Sequence, residues 1–258
     1  EAVNIGSRRE LFVDQALVER LSGKAELRLH RPVPREISLV HDALWEGSGS
    51  GYHSVFQDGD KYRMYYKAWD IALPHQADTE RSKQVHPLFC AYAESDDGIH
   101  WRKPALGLHE FNGSKANNIV MVSGPIGKLD VDAGHPAVFK DTNPNAAPDA
   151  RYKAILRSGK PLGLLAFKSP DGLHWTPMKD GPIITDGAFD SQNLAFWDAA
   201  RGEYRAYWRF FDRGTPDKPY VGVRSIRTAT SKDFLNWENY ADLKYPDAPP
   251  THLYTNQI

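Results

Sequence analysis

The sequence of 258 residues contains a single cysteine, Cys90, so no disulfide can form within the chain. Cys90 falls in a predicted inner strand, where we expect it to be a buried small apolar residue. No run approaches the about 18–20 apolar residues that cross a bilayer. The formal net charge is only −1, which argues against charge-driven binding to nucleic acid or to membrane surfaces. We therefore expect no nucleic-acid partner and no membrane association.

Motifs for metals, nucleotides and serine nucleophiles are also missing. The chain has no His-x-x-x-His, no Cys-x-x-Cys, no P-loop and no Gly-x-Gly-x-x-Gly. The glycine run at 47–51 is followed by no Lys-Ser/Thr pair, and it lacks the context of a nucleophile elbow. We expect no cofactor and no catalytic metal, while a structural Ca²⁺ bound by Asp, Asn and water would be compatible with the composition.

One phrase occurs three times, and each copy ends in tryptophan. Residues 95–101 (Ser-Asp-Asp-Gly-Ile-His-Trp) return as 169–175 (Ser-Pro-Asp-Gly-Leu-His-Trp) and, with more changes, as 231–237 (Ser-Lys-Asp-Phe-Leu-Asn-Trp). The tryptophans are 74 and 62 residues apart (175 − 101 and 237 − 175). Such self-similarity is typical of repeat architectures. Because Asp followed by Gly favours a turn, we interpret the phrase as structural rather than catalytic.

Each copy belongs to a unit with the same order of strand-like segments. An opening strand, a hairpin, a long aromatic strand, a third strand, the Asp turn and a Trp-led outer strand follow one another. Four strands per unit predict a β-propeller blade, and hence an all-β chain. The expected organisation is a single β-propeller domain, 1–258, with blades at about 38–115, 116–182 and 183–245, and with 1–37 and 246–258 belonging to closing or further blades.

This pattern resembles the five-bladed β-propeller glycoside hydrolases, the broad group that includes families 32, 43 and 117. The resemblance covers the three blades and rests on the repeat, the Asp-Gly-x-His-Trp turns, and the acidic or amide residues that lead each opening strand. The Asn-Asp-Pro-Asn-Gly, Arg-Asp-Pro and Glu-Cys motifs of family 32 are absent. The resemblance implies five four-stranded antiparallel blades, glycosidase activity on an oligosaccharide or polysaccharide, and a secreted or periplasmic protein.

The length is short for a closed five-bladed ring, because three blades already occupy roughly residues 40–245. We expect either a truncated ring or a closed ring of very economical blades. Strand-like segments at 9–13 and 25–30 would complete the last blade, and 252–258 would open another one. The exposed edges of an open ring could also pair with a second chain, and the oligomeric state is left undetermined.

Carboxylates lead the opening strands at equivalent points of the repeats. Glycoside hydrolysis needs two carboxyl groups flanking one bond, so the catalytic candidates are Glu46, Asp132 and Asp190. By resemblance to family 43, Glu46 or Asp42 would be the base, Asp132 the pKa modulator and Asp190 the general acid. The plainer alternatives are that Asp42 caps a turn, that the glycines after Glu46 form an entry loop, and that Asp132 braces a turn.

Polar and aromatic residues beside these carboxylates are candidates for sugar binding. Amides suit hydroxyl groups because they both donate and accept hydrogen bonds, and aromatic rings offer stacking surfaces. By resemblance to family 117, His135 could instead be a general acid, and a structural histidine is the alternative. Basic residues in or beside the loops 68–85 and 211–219 could receive an anionic sugar, a uronate or a sulfate, or could simply be solvated; they are Arg81, Lys83, Arg209 and Arg213. The substrate-binding candidates are Trp45, His53, His135, Gln192, Asn193, Asn256 and Gln257.

Other functions remain open at this point. A non-catalytic carbohydrate-binding propeller would have its carboxylates too far apart for paired catalysis, or salt-bridged to blade arginines. A protein-interaction propeller would present a flat apolar rim and a plugged funnel. Sulfatase, lyase or phosphorylase chemistry is a further alternative.

Overall fold

The structure, a computed structural model, describes residues 3–6, 10–11, 15–72, 83–245 and 248–255. The chain forms two compact units, Glu1–Ile37 and Ser38–Ile258. The described residues of the first unit form no strand, so the segment 25–30 is not the strand that we expected. Most of the segment 9–13 lies outside the described residues. That the whole chain is one domain stays a prediction.

The described residues of the second unit form sixteen strands and one short 3₁₀ helix, Pro148–Ala150. Among the described residues there is no helix with the length and apolar character needed to cross a bilayer. The strands are β1 (Gly49–Asp58), β2 (Lys61–Trp69), β3 (Ile71–Ala72), β4 (Lys83–Gln84), β5 (Phe89–Ser95), β6 (Trp101–Arg102), β7 (Ile119–Val122), β8 (Gly124–Ile126), β9 (Leu129–Lys140), β10 (Tyr152–Gly159), β11 (Leu162–Ser169), β12 (Thr176–Pro177), β13 (Leu194–Asp198), β14 (Glu203–Phe211), β15 (Arg224–Ser231) and β16 (Trp237–Asp242).

Three antiparallel sheets form the three blades. Blade 1 has the order β1-β2-β5-β6, blade 2 the order β12-β11-β10-β9-β8, and blade 3 the order β13-β14-β15-β16. The prediction of an all-β chain made of four-stranded antiparallel blades is confirmed, with one addition: blade 2 carries the short β8 as a fifth strand beside β9. The innermost strands β1, β9 and β13 contain the predicted opening strands. That the complete ring has five blades stays a prediction.

Blade 1 differs from the expected outline in its outer strand. β6 pairs with one end of β5, and β7 pairs with the other end, so the outer strand is split in two. The sheet therefore extends to Val122, beyond the expected boundary at residue 115. Cys90 is fully buried as expected, but it lies in β5, the third strand, rather than in an inner one. Residues 252–255, predicted to open another blade, form no strand.

The repeated phrase forms the same hydrogen-bonded turn in every blade, as its turn chemistry predicts. In blade 1 the Asp97 carboxylate accepts hydrogen bonds from the backbone N–H groups of Ile99 and His100 and from the His100 ring. The Trp101 indole donates to the carbonyl of Gly98. Asp171 and Asp233 make the equivalent contacts in blades 2 and 3. The interpretation of the phrase as structural therefore agrees with its hydrogen bonds.

Neighbouring blades are joined by a tyrosine and an aspartate. The hydroxyl of Tyr152 on β10 donates to Asp58 at the end of β1, at 2.6 Å. The hydroxyl of Tyr204 on β14 donates in the same way to Asp141, just after β9, at 2.7 Å. These hydrogen bonds fix each blade against the inner strand of the blade before it. Apolar clusters fill the space between the sheets, around Leu156 and Phe167 on one side of blade 2 and around Ile155 and Phe234 on the other.

Candidate active site at the inner strands

Asp132 and His135 form a carboxylate–imidazole pair on the innermost strand of blade 2. Nδ1 of His135 donates to Asp132 Oδ2 at 2.8 Å, since an ionised carboxylate can only accept. The other carboxylate oxygen accepts from the backbone N–H of Gly134. Burial alone would raise the pKa of Asp132, but His135, Gly134 and Arg157 together hold that pKa below its ordinary value. Asp132 is therefore ionised at neutral pH and leaves Nε2 of His135 available for chemistry.

Arg157 lies beside Asp132 on the neighbouring strand of blade 2. The two residues are cross-strand partners in the β9–β10 pairing, and Nη1 of Arg157 lies 3.2 Å from Asp132 Oδ2. Both residues line a cleft of about 520 Å³, whose opposite wall is the segment 84–88 between β4 and β5. The pair thus borders a space large enough for a sugar residue.

Asp190 is positioned by blade 3 just before β13. Its Oδ1 lies 2.9 Å from Nη1 of Arg209, whose side chain is 2% exposed. Arg209 also donates to the carbonyl of Tyr254 and lies over the ring of Tyr254, 4.4 Å from the ring centre. The Asp190 side chain itself is 34% exposed. Asp190 is therefore an anchored carboxylate with an open side.

Tyr52 links the groups of blades 2 and 3. Its ring lies 5.3 Å from the ring of His135. Burial, a hydrogen bond with Tyr254 and the charge of Asp190 raise the pKa of Tyr52 to about 12. Tyr52 has a left-handed φ of 54°, at a bulge of β1. A non-glycine residue in this conformation is strained, and such strain is often found at functional sites.

Glu46 is fully buried and accepts four hydrogen bonds. Its donors are the Tyr66 hydroxyl at 2.6 Å, the Lys103 ammonium at 2.8 Å, the backbone N–H of Ala43 at 2.8 Å and the His41 ring at 3.2 Å. Burial would raise the pKa of Glu46, but Lys103, Tyr66 and the other donors hold it below the ordinary value. These contacts give Glu46 a structural role in blade 1. A catalytic role for Glu46 stays a prediction.

His53 belongs to the surroundings of Glu46 rather than to the cleft at Asp132. Its Nε2 lies 3.3 Å from Nε2 of His41, and its ring stacks on Tyr66. Partial burial and the neighbouring His41 lower the pKa of His53. The lowered pKa keeps the His53 imidazole neutral at physiological pH.

Gln192 and Asn193 are buried, and their amides bind backbone groups. Gln192 Nε2 donates to the carbonyls of Tyr52 at 2.9 Å and Pro136 at 3.1 Å, so it connects the inner strands of all three blades. Asn193 Nδ2 donates to the carbonyls of Phe189 and Ser191. The structure gives both amides a structural task, and sugar binding by either one stays a prediction.

The remaining binding candidates lie elsewhere. Trp45 donates from its indole to Asn118 at 2.6 Å and packs edge-on against Phe111, so its ring belongs to the blade 1 core. Asn256 and Gln257 lie outside the described residues. Within the described part of the chain, no group of three or more His, Cys, Asp or Glu side chains is arranged to hold a metal ion.

Sequence reasoning named Arg209 as a cation that could receive an anionic sugar, but it missed Lys67 and Arg157 on the equivalent second strands. Lys67, Arg157 and Arg209 hold equivalent positions, each five residues after the tyrosines Tyr62, Tyr152 and Tyr204. The signal was present, because aligning the aromatic strands aligns the three cations. The structure adds what the sequence does not show: Lys67 lies opposite Gly51 and Arg157 opposite Asp132 on the inner strands, and Arg209 pairs with Asp190 just before β13.

No family model matches the chain, and no curated protein matches it. Solved structures do match. One is a glycosyl hydrolase from Bacteroides ovatus, with 17% identity, a TM-score of 0.44, and coverage of 75% of this chain and 51% of the other. Another is Zg3597, a family 117 glycoside hydrolase from Zobellia galactanivorans, with 16% identity, a TM-score of 0.47, and coverage of 79% and 57%.

A third match is a β-1,2-mannobiose phosphorylase from Listeria innocua in complex with β-1,2-mannobiose. It shares 13% identity and has a TM-score of 0.46, with coverage of 77% of this chain and 60% of the other. The chain thus spans between half and three-fifths of the length of these three proteins.

Proposed function

We propose that the protein is a glycoside hydrolase that cleaves a glycosidic bond in an oligosaccharide or polysaccharide. The observation that carries the proposal is that the inner strands of two neighbouring blades each hold an anchored group fit for acid–base chemistry. On blade 2 the Asp132–His135 pair lies beside Tyr52, and on blade 3 Asp190 is held by Arg209 with one side exposed. Glycoside hydrolysis requires two groups that flank the scissile bond, one to protonate the leaving oxygen and one to act as base or nucleophile, and blades 2 and 3 each supply a candidate.

The contacts favour one assignment of the catalytic roles. Asp132 orients His135 through Nδ1 and stabilises the imidazolium, so Nε2 can donate a proton to the leaving oxygen. Asp190, paired with Arg209 as a carboxylate, is the base or nucleophile on the other side of the bond. This proposal gives His135 the general-acid role implied by the resemblance to family 117, in place of Asp190 as implied by family 43, while Asp132 keeps the role of modulator.

A non-catalytic carbohydrate-binding propeller is the second candidate. It is favoured by the ion pairs of Asp132 with Arg157 and of Asp190 with Arg209. Carboxylates held by arginines on their own blade can be purely structural. In that case the protein would bind glycans without turning them over.

Reducing-sugar release from a panel of polysaccharides and aryl glycosides separates these candidates, and each assay should be run with and without inorganic phosphate. We expect hydrolysis without phosphate. Asp190→Asn and His135→Gln should each lower kcat/KM by about 10²–10⁴-fold. Asp149→Asn, at an exposed carboxylate in the 3₁₀ helix that pairs with Lys168, is the matched control and should keep full activity.

Other outcomes would identify a different function. Turnover only with phosphate would mean phosphorolysis. Glycan binding without turnover, equal in the wild type and in Asp190→Asn, would support the binding module and overturn the hydrolase. A secreted or periplasmic location stays a prediction, to be tested by fractionating cells that express the full-length protein.

A further inference from the structure

The second strand of every blade carries a cation at the same position, but the three cations have different partners. Arg157 pairs with Asp132, and Arg209 pairs with Asp190. Lys67 forms no ion pair with any carboxylate in the described ranges of the chain. Blade 1 thus keeps the cation of the repeat and lacks its acidic partner.

The cause of this difference is the residue opposite Lys67. In blade 2 the cross-strand partner of Arg157 is Asp132. In blade 1 the cross-strand partner of Lys67 is Gly51, which has no side chain. An acidic side chain that the repeat supplies in blade 2 is therefore replaced by a hydrogen atom in blade 1.

Lys67 is nevertheless buried, with only 9% of its surface exposed. Burial lowers the pKa of Lys67, and the charge of Asp132 opposes this effect from a distance. An ammonium group removed from water without a charged partner is costly. The rings of Trp69, 3.9 Å from Nζ, and Tyr52, at 5.6 Å, provide partial compensation through cation–π contacts.

Space is open opposite the ammonium group. A Cβ atom built on Gly51 would meet no atom within 4 Å. The neighbouring glycines differ, because a Cβ on Gly49 would strike the Trp69 indole and one on Gly47 would strike Asp70. Gly47 and Gly49 thus let Trp69 and Asp70 pack closely, whereas Gly51 leaves room beside Lys67.

We propose that Lys67 binds the carboxylate of a uronic acid residue in the glycan, which takes the place of the acidic side chain missing from blade 1. This inference rests on the proposed function and names its substrate class. A carboxylate is favoured over a sulfate ester because both equivalent cations pair with carboxylates. The rings of Trp69 and Tyr52 flank the ammonium, so a bound carboxylate would lie beside two aromatic side chains.

The test is calorimetric binding at low salt of D-glucuronate and D-galacturonate, with D-glucose, D-galactose and D-galactose 6-sulfate for comparison. We expect the uronate that fits the site to bind about ten-fold tighter than its neutral counterpart. Lys67→Met should remove this preference. Gly51→Asp should also remove it, by supplying the partner within the chain, while Gly51→Asn is the uncharged control and should preserve it.

Gly51→Asp also gives a readout that needs no sugar. Gly51 does not have a left-handed φ, so an aspartate is tolerated there. We expect Gly51→Asp to raise the melting temperature relative to Gly51→Asn, because only Asp pairs with Lys67. If the melting temperature does not rise, the position beside Lys67 is not an unfilled site for an anion.

The inference is overturned if uronates bind no better than neutral sugars, or if none of these sugars binds. It is also overturned if the sulfated sugar binds more tightly than the uronates, or if Lys67→Met keeps the preference for uronates. If Lys67→Met does not fold, Lys67→Gln and Gly51→Asp answer the same question. Hydrolysis is assayed separately. Uronate binding without hydrolysis would refute only the proposed reaction, and hydrolysis without uronate preference would refute only the role of Lys67.

Discussion

Tyr62 and Tyr152 hold the same position in successive blades, but of these two only Tyr152 donates a hydrogen bond to a described residue of another blade, Asp58. Tyr204 is the third member of the series and donates to Asp141. Tyr152 and Tyr204 therefore lie at blade junctions, and Tyr62 is the equivalent tyrosine without such a hydrogen bond to a described residue, against which the other two can be compared.

Removing the junction hydroxyls should weaken the fold. We expect Tyr152→Phe and Tyr204→Phe each to lower the free energy of unfolding by about 1.5–3 kcal/mol, because each leaves a carboxylate short of a donor. Tyr62→Phe should change it by less than about 0.5 kcal/mol. Urea unfolding of the three variants measures these differences. Equal effects at all three positions would mean that the hydroxyls do not hold the blades together.

The repeated turn should be less tolerant in blade 2 than in blade 1. Gly98 and Gly172 both have a left-handed φ, of 77° and 81°, so alanine costs about 1–2 kcal/mol at either position. A Cβ on Gly172 would also lie 2.5 Å from the Tyr65 hydroxyl, whereas a Cβ on Gly98 would lie 3.5 Å from the Tyr62 ring. We expect Gly172→Ala to lower the melting temperature more than Gly98→Ala. The reverse order would contradict the close approach of Tyr65.

Glu46 should make the fold sensitive to acid. Its pKa is lowered in the folded protein, so its stabilising contribution is complete above the unfolded-state pKa, about 4.3, and is lost as the pH falls through the folded-state pKa. Glu46→Gln should therefore unfold at lower urea concentration than the wild type at pH 7, with the difference shrinking towards pH 3. A constant difference from pH 7 to pH 3 would refute the depressed pKa.

Gln192 should stabilise the assembly of the blades. Gln192→Ala removes donors to the carbonyls of Tyr52 and Pro136 in two other blades, and we expect a loss of about 1–3 kcal/mol in the free energy of unfolding. Gln57→Ala is the control, because the exposed amide of Gln57 donates to the carbonyl of Gly59, two residues away in the same hairpin. An equal loss in the two variants, measured by urea unfolding, would argue against a connecting role.

The features that sequence could predict are those made by residues close together in the chain. The turn at Asp97 closes within residues 95–101, so residue types alone indicate its hydrogen bonds. Alternation and aromatic content likewise predicted the strands of each blade. In blade 3 Phe234 replaces the glycine of the turn and accepts the same left-handed φ, because its buried ring packs between blades.

The features that sequence missed depend on partners far apart in the chain. Glu46 looked like a leading carboxylate of the funnel, but its donors Tyr66 and Lys103 come from 20 and 57 residues away. Gln192 looked like a hydroxyl binder, and its partners lie 140 and 56 residues away. The gap beside Lys67 required the register of β1 against β2, which no local pattern fixes.

The junction between blades has a consequence for how such a chain can be lengthened. Each blade carries a tyrosine on its second strand and an aspartate at the end of its inner strand, and the junction uses one from each neighbour. A duplicated stretch of gene that encodes one whole blade therefore arrives with both halves of the contact. The copy can dock onto its parent at once, so growth by tandem duplication needs no new complementary surface to evolve.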